Sequence, residues 1–101
     1  MVAFCVMAFV YILYSSTIDK FYIGFTTEIP DVRLERHNSD YYEDKFTANG
    51  KPWDLFLSFE CESKEQARKI EAHIKSMKSQ KYIRNLATYP EIIEKLKLKF
   101  A

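Results

Sequence analysis

Val10-Tyr11-Ile12 and Tyr22-Ile23-Gly24, with ten residues between the two tyrosines, are the stretch whose reading decides the fold. Residues 9–14 and 21–26 are rich in aromatic and β-branched side chains, as strands are. Ser15-Ser16-Thr17-Ile18-Asp19 between them has turn composition, so the unit is expected to be a β-hairpin. Side chains alternate faces along a strand, and the pairing register decides which of them meet. If Tyr14 pairs with Asp19 across a short loop, Tyr11 lies opposite Tyr22 and Phe9 opposite Gly24. Two phenol hydroxyls then share one face, and Gly24 lets a backbone or a phosphate come close.

Working outward, Thr26-Thr27-Glu28-Ile29-Pro30-Asp31 is a loop entering a helix. Proline suits the first helical turn and Asp31 suits the positive end of the dipole. That helix is expected to reach about Asn38, and Arg33 and His37 are one turn apart on it. Residues 39–44 and 47–52 are loop, long enough in a small chain to suggest function. Trp53-Asp54-Leu55-Phe56-Leu57-Ser58-Phe59-Glu60 is a third strand, apolar on both faces and therefore expected at the centre of the sheet. Ser63-Lys64-Glu65-Gln66 is a capping-box sequence opening a helix to about Lys78, with Ala67, Ile70, Ile74 and Met77 as its buried stripe. Residues 81–85 form a short helical segment or turn. Thr88-Tyr89-Pro90-Glu91 then starts a last helix, with Thr88 as cap and Ile92, Ile93, Leu96 and Phe100 facing the core. The order β-β-α-β-α-(α)-α defines an α+β fold, a three-stranded mixed or antiparallel sheet flanked by helices.

At 101 residues the chain has the size of one domain, and its sixteen aromatic residues argue for a packed globule. The net charge of +1 hides an asymmetry: residues 1–60 balance to −4 and residues 61–101 to +5. The basic half is suited to phosphates, although charged helices facing water would look the same. Cys5 and Cys61 form neither a metal spacing nor a disulfide framework, and are expected to be reduced packing residues of a cytoplasmic protein. Residues 1–14 are uninterruptedly apolar, but fall short of the roughly twenty needed to span a bilayer. A signal peptide is disfavoured because the first cation is Lys20, so no membrane association is expected. Residues 1–6 are either an extension of the first strand or sequence upstream of a start at Met7. If present, they form an apolar arm that needs a partner surface, for example in a homodimer.

The two tyrosine motifs, with Arg33, His37 and Glu71 downstream, make the chain resemble the GIY-YIG nuclease superfamily, in particular its small stand-alone single-domain members. Tyr22-Ile23-Gly24 matches the second motif letter for letter. The first motif keeps its tyrosine as Tyr11, with Phe9-Val10 in place of Gly-Ile. The resemblance runs from about Ala8 onward. It implies a Mg²⁺- or Mn²⁺-dependent endonuclease acting on DNA, with one metal held by a lone glutamate, Glu71. It further implies Tyr11 as general base, Tyr22 as a positioning donor (or the reverse), and Arg33 on the phosphate. His37 is implied in proton transfer or phosphate binding, and Asn85 in ordering the metal site.

The residues themselves allow this chemistry and a plainer one. Glu71 falls about 40° past Ala67, on the edge of the buried stripe. A single carboxylate leaves most of a Mg²⁺ shell to water and phosphate, which is how that ion commonly binds. An edge glutamate paired with Lys75 or Lys78 fits the same position. Tyr11 and Tyr22 need nearby positive charge, from Arg33, Lys20 or a metal, to act as bases. Otherwise they are ordinary strand tyrosines. Lys45, Lys51, Arg68, Lys75, Lys78, Lys81 and Arg84 are candidate backbone contacts to nucleic acid. A nucleic-acid-binding module without catalysis and an RNA-binding α/β domain are the competing functions. The chain lacks the glycine-aromatic order of an RNA-stacking strand.

Overall fold

The computed structural model describes residues 7–39 and 46–101. Its elements run β1 (Ala8–Ser15), β2 (Lys20–Thr26), α1 (Pro30–Asn38), a 3₁₀ turn (Phe46–Gly50), β3 (Asp54–Cys61), α2 (Lys64–Met77), α3 (Gln80–Thr88) and α4 (Pro90–Lys99). The three strands form one antiparallel sheet, so the α+β reading and its element order stand.

The sheet order is β2-β1-β3, which corrects the placement of the third strand: β1 is central and β3 lies at an edge. The physical reason is that β1 is covered on both faces. Ala8, Val10 and Ile12 join Ile70, Ile74, Leu86 and Leu96 in a core under α2, α3 and α4. Tyr11 and Leu13 point the other way, into a smaller cluster with Trp53, against which Leu34 of α1 packs. In β3, by contrast, Asp54, Ser58 and Glu60 are exposed, polar groups of the kind that blunt a free edge. Its apolar run reads as two-faced because of a register irregularity opposite Ile12/Leu13: Ile12 pairs with Leu57 and Leu13 with Leu55, leaving Phe56 as the extra residue.

The hairpin register also differs from expectation. Tyr11 pairs with Gly24, Leu13 with Tyr22, and Phe9 with Thr26. A four-residue turn, 16–19, separates Ser15 from Lys20, and Asp19 takes the left-handed conformation (φ 50°) that such a turn needs. Tyr14 meets Asp19 by its side chain instead, donating to Oδ1 at 2.6 Å. The offset is two residues, so facing is unchanged, and Tyr11 and Tyr22 remain on one side of the sheet.

Helix ends follow local rules with two corrections. Ser63 caps α2 by accepting from Gln66 N–H at 3.1 Å, while the Gln66 carbonyl oxygen accepts from Glu62 N–H and its amide donates to Lys97 O of α4. The α2 stripe stops at Ile74, and Met77 is exposed. Left-handed Lys78 (φ 47°, ψ 45°) turns the chain into α3, whose Ile83 closes the core there. Thr88 does not cap α4. It ends α3, its hydroxyl donating to Arg84 O, and Tyr89 alone separates the two helices. Ile93 and Leu96 of α4 are buried, with Ile92 and Phe100 packed beside them. Cys61 is buried, and burial pushes its thiol up, which makes it a packing residue. Cys5, Lys45 and the proposed dimerising arm 1–6 lie outside the described residues.

Trp53 stands just before β3 rather than in it, and it ties the loop to the sheet. Asn38 Nδ2 donates to Trp53 O at 2.9 Å, and Trp53 N–H donates back to Asn38 Oδ1 at 2.5 Å. Ser15 Oγ donates to Gly50 O, and a Cβ at Gly50 would run into the Trp53 ring. Asn38→Ala removes both hydrogen bonds to the Trp53 backbone, a loss of about 1–3 kcal/mol. Denaturant titration followed by the fluorescence of this single tryptophan is expected to register that loss as a lower midpoint.

Candidate active site

The motif side chains come from four elements. Tyr11 sits on β1, Tyr22 and Gly24 on β2, Arg33 and His37 on α1, and Glu71 on α2. Because Tyr11 is opposite Gly24, its ring lies over the glycine. A Cβ there would fall 2.5 Å from both Tyr11 Cζ and Oη. Gly24 thus makes room for the phenol of the neighbouring strand, not for a backbone or phosphate as its sequence context suggested.

Tyr11 is wholly buried as a residue, and its hydroxyl shares a hydrogen bond with His37 Nε2 at 3.0 Å. The Tyr22 ring packs against both, its centroid 6.3 Å from Tyr11 and 4.6 Å from His37. One helical turn before His37, the Arg33 guanidinium carbon lies 5.8 Å from the centroid of the Tyr11 ring. Burial, and then the charge of Arg33, lower the His37 pKa to about 4. The imidazole is therefore neutral near pH 7, able to accept at one ring nitrogen and donate at the other.

Tyr11, Tyr22, Gly24, Thr26, Arg33 and Glu71 line one cleft of about 400 Å³. Glu71 belongs to the helix that covers the opposite face of the sheet and meets the tyrosines at the open β2 edge. Its side chain is 13 % exposed, and Oε1 lies 3.1 Å from Lys75 Nζ. Both sequence readings of Glu71 are thus realised together: it faces the cleft, and it pairs with Lys75. Among the described residues no group of three or more His, Cys, Asp and Glu is placed to hold a metal. Glu28 also lines the cleft, but both of its carboxylate oxygens are held by Arg36, at 2.8 and 3.1 Å, which leaves Glu71 as the carboxylate offered to a cation. One such ligand suits an ion that keeps most of its waters, such as Mg²⁺.

Asn85 is not among the residues that line the cleft. It is half-buried on α3, where its carbonyl accepts from Tyr89 N–H. Lys75 and Lys78 line an adjoining groove. Arg84 lies over the Tyr14 and Phe21 rings, Arg68 pairs with Glu65, Lys81 is exposed on α3, and Lys51 precedes Trp53. Thr26 and Lys64 line the cleft but were not singled out in the sequence. The two-residue alternation through Tyr22 and Gly24 puts Thr26 on their face, a signal sufficient to find it. Lys64 carried none, because only the docking of α2 brings its first turn to the cleft.

With this geometry in place, the comparison with protein families is unambiguous. The family model for the GIY-YIG catalytic domain matches residues 7–83, so the chain belongs to the GIY-YIG family and carries its nuclease-type fold. No curated protein and no solved structure gave a significant match.

Two outcomes follow from the Tyr11 environment. A depressed His37 pKa means the unfolded chain binds the proton more tightly. The stability this contributes is complete above about pH 6.5 and is lost as pH falls toward 4, up to about 3 kcal/mol in all. Denaturant titrations over that window are expected to show the fall, and His37→Gln to flatten it relative to the parent. Gly24→Ala forces the Tyr11 ring aside, at about 1–3 kcal/mol. Thermal melts are expected to register it, together with changed Tyr11 ring resonances.

Proposed function

We propose that the protein is a Mg²⁺-dependent endonuclease that hydrolyses phosphodiester bonds in DNA, with the cleft at the β2 edge as its active site. The observation that carries this is the convergence of Tyr11, Tyr22, Arg33 and Glu71, from four separate elements, on one opening. Membership of the GIY-YIG family supports the same chemistry.

In this reading Arg33 binds a non-bridging phosphate oxygen through its planar fork, and Tyr22 donates its hydroxyl to the same group. Glu71 would hold the cation, which when bound neutralises charge on the phosphoryl oxygens and on the leaving oxygen. Tyr11 takes a proton from the attacking water while passing its own to His37 Nε2, along the 3.0 Å hydrogen bond. The new water oxygen–phosphorus bond forms as the bond to the leaving ester oxygen breaks, and that oxygen takes its proton from solvent. His37 is neutral at rest and takes that proton only as the transfer proceeds. The arriving phosphodiester helps, since its negative charge beside the ring offsets that of Arg33 and favours the imidazolium.

The Lys75–Glu71 ion pair favours a second reading, a nucleic-acid-binding module without catalysis, in which Lys75 replaces the cation. A plasmid-nicking assay with Mg²⁺ separates the two. Glu71→Gln keeps shape and helix propensity but removes the charge. Under the nuclease reading the variant folds, binds DNA and nicks it slower by orders of magnitude. Under the other, neither protein nicks, and losing a half-exposed ion pair changes stability by no more than about 0.5 kcal/mol. A folded Glu71→Gln protein that nicks at the parental rate would leave this cleft without its metal role.

A further inference from the structure

The cleft is not the only opening on this side of the molecule. A second groove, also about 400 Å³, lies between the start of β2, the end of α2 and the start of α3. Its apolar lining is Phe21, Tyr22, Ile23, Ile74 and Ile83, and its charged lining is Lys20, Lys75 and Lys78. Among the described residues no acidic side chain is part of it. Two residues join it to the cleft: Tyr22 lines both, and Lys75 lines the groove while its ammonium reaches Glu71.

We propose that this groove is a subsite for one unpaired nucleotide of the DNA strand whose phosphodiester lies in the cleft. The assignment rests on the cleft being the place where a phosphodiester is held. An apolar floor under a cationic rim matches a nucleobase with its flanking phosphates, and the volume is that of a small-ligand pocket. A base can reach such a floor only when it is free of its complement, because a paired base is already stacked and hydrogen-bonded. Phe21, on the helix side of the sheet, puts an aromatic ring in the groove wall, the kind of surface that sequence-tolerant single-strand sites use. The substrate class is thus a single strand, or a duplex with an unpaired end or flap next to the cut.

Lys78 gives an independent reason. It holds a left-handed conformation at the α2 C-terminus, where glycine is the residue without strain. A favourable charge near the helix dipole does not require that backbone position. Lysine at this position places an ammonium on the groove rim at a cost in stability.

The experiment uses the full chain in EDTA, so that binding is read without cleavage. Isoleucine methyl NMR is recorded with the dinucleotide pTpT, with its abasic analogue, and with thymidine 5′-monophosphate. Fluorescence anisotropy compares a blunt twelve-base-pair duplex with the same duplex carrying a three-nucleotide overhang. Saturable shifts at Ile74 and Ile83 with pTpT and not with the abasic analogue are expected, as is at least fivefold tighter binding of the overhang. Lys78→Gly is expected to hold or raise the Tm while weakening overhang binding at least threefold. Equal affinity for blunt and overhung duplexes, or unaltered affinity in Lys78→Gly, overturns the proposal. Monophosphate binding as tight as that of the overhang also overturns it, in favour of a free-nucleotide site. If Mg²⁺ gives no plasmid nicking while the Ile74 and Ile83 shifts appear, the nuclease reading falls and the groove stands. Nicking without those shifts does the reverse.

Discussion

The Tyr11 phenol, seated on Gly24 and hydrogen-bonded to His37, is the contact on which the rest of the arrangement depends. It lies on the central strand, so it is fixed by β2 on one side and β3 on the other. It also fixes α1, since its hydroxyl is hydrogen-bonded to a histidine one helical turn from Arg33. A buried hydroxyl without a partner costs on the order of 1–3 kcal/mol, which holds the His37 ring in place. The residues that sequence separates by more than twenty positions are therefore set against one another by a packing requirement. Whatever acts in the cleft acts on a pre-organised pair.

Covering both faces of β1 makes the small sheet rigid enough to carry this. Ala8, Val10 and Ile12 on one face and Tyr11 and Leu13 on the other are all fully buried. Each large side chain contributes about 1.5–3 kcal/mol by leaving water. The price is an open β2 edge, and there the two faces communicate. Glu71 comes from the helical side, the tyrosines from the other, and the cleft lies between them. Lys64 and Glu71 of α2 line the cleft at this edge.

Electrostatics divides the same surface. Burial and Arg33 keep His37 neutral, so the charges lining the cleft are Arg33 and Lys64 against Glu71 and Glu28, the two carboxylates being paired with Lys75 and Arg36. The neighbouring groove is lined by three lysines and, among the described residues, by no acid. The excess of cations in the second half of the chain is thus not spread evenly over solvated helices. Part of it, on the last turn of α2, is delivered to the border of the cleft, with Lys20 of β2 beside it.

The sequence by itself determined the elements and the chemistry they carry. Alternation in residues 9–14 and 21–26 set the hairpin and put both tyrosines on one face, because facing survives a register error of two. The capping serine Ser63 and the prolines Pro30 and Pro90 set helix starts, because those signals are local. Arg33, His37 and Glu71 were legible as a set through their resemblance to a family, and their spacing on helices placed them on usable faces. What only the tertiary structure decided was which strand lies at the centre, since the run in β3 looks two-faced until its extra residue is seen. It also decided that Gly24 serves Tyr11, that Met77 is exposed, and that Asn85 is not part of the cleft lining. Each of these depends on what packs opposite a residue, and that partner is supplied by a distant part of the chain. Local composition records how a residue prefers to sit; only the assembled fold records what it sits against.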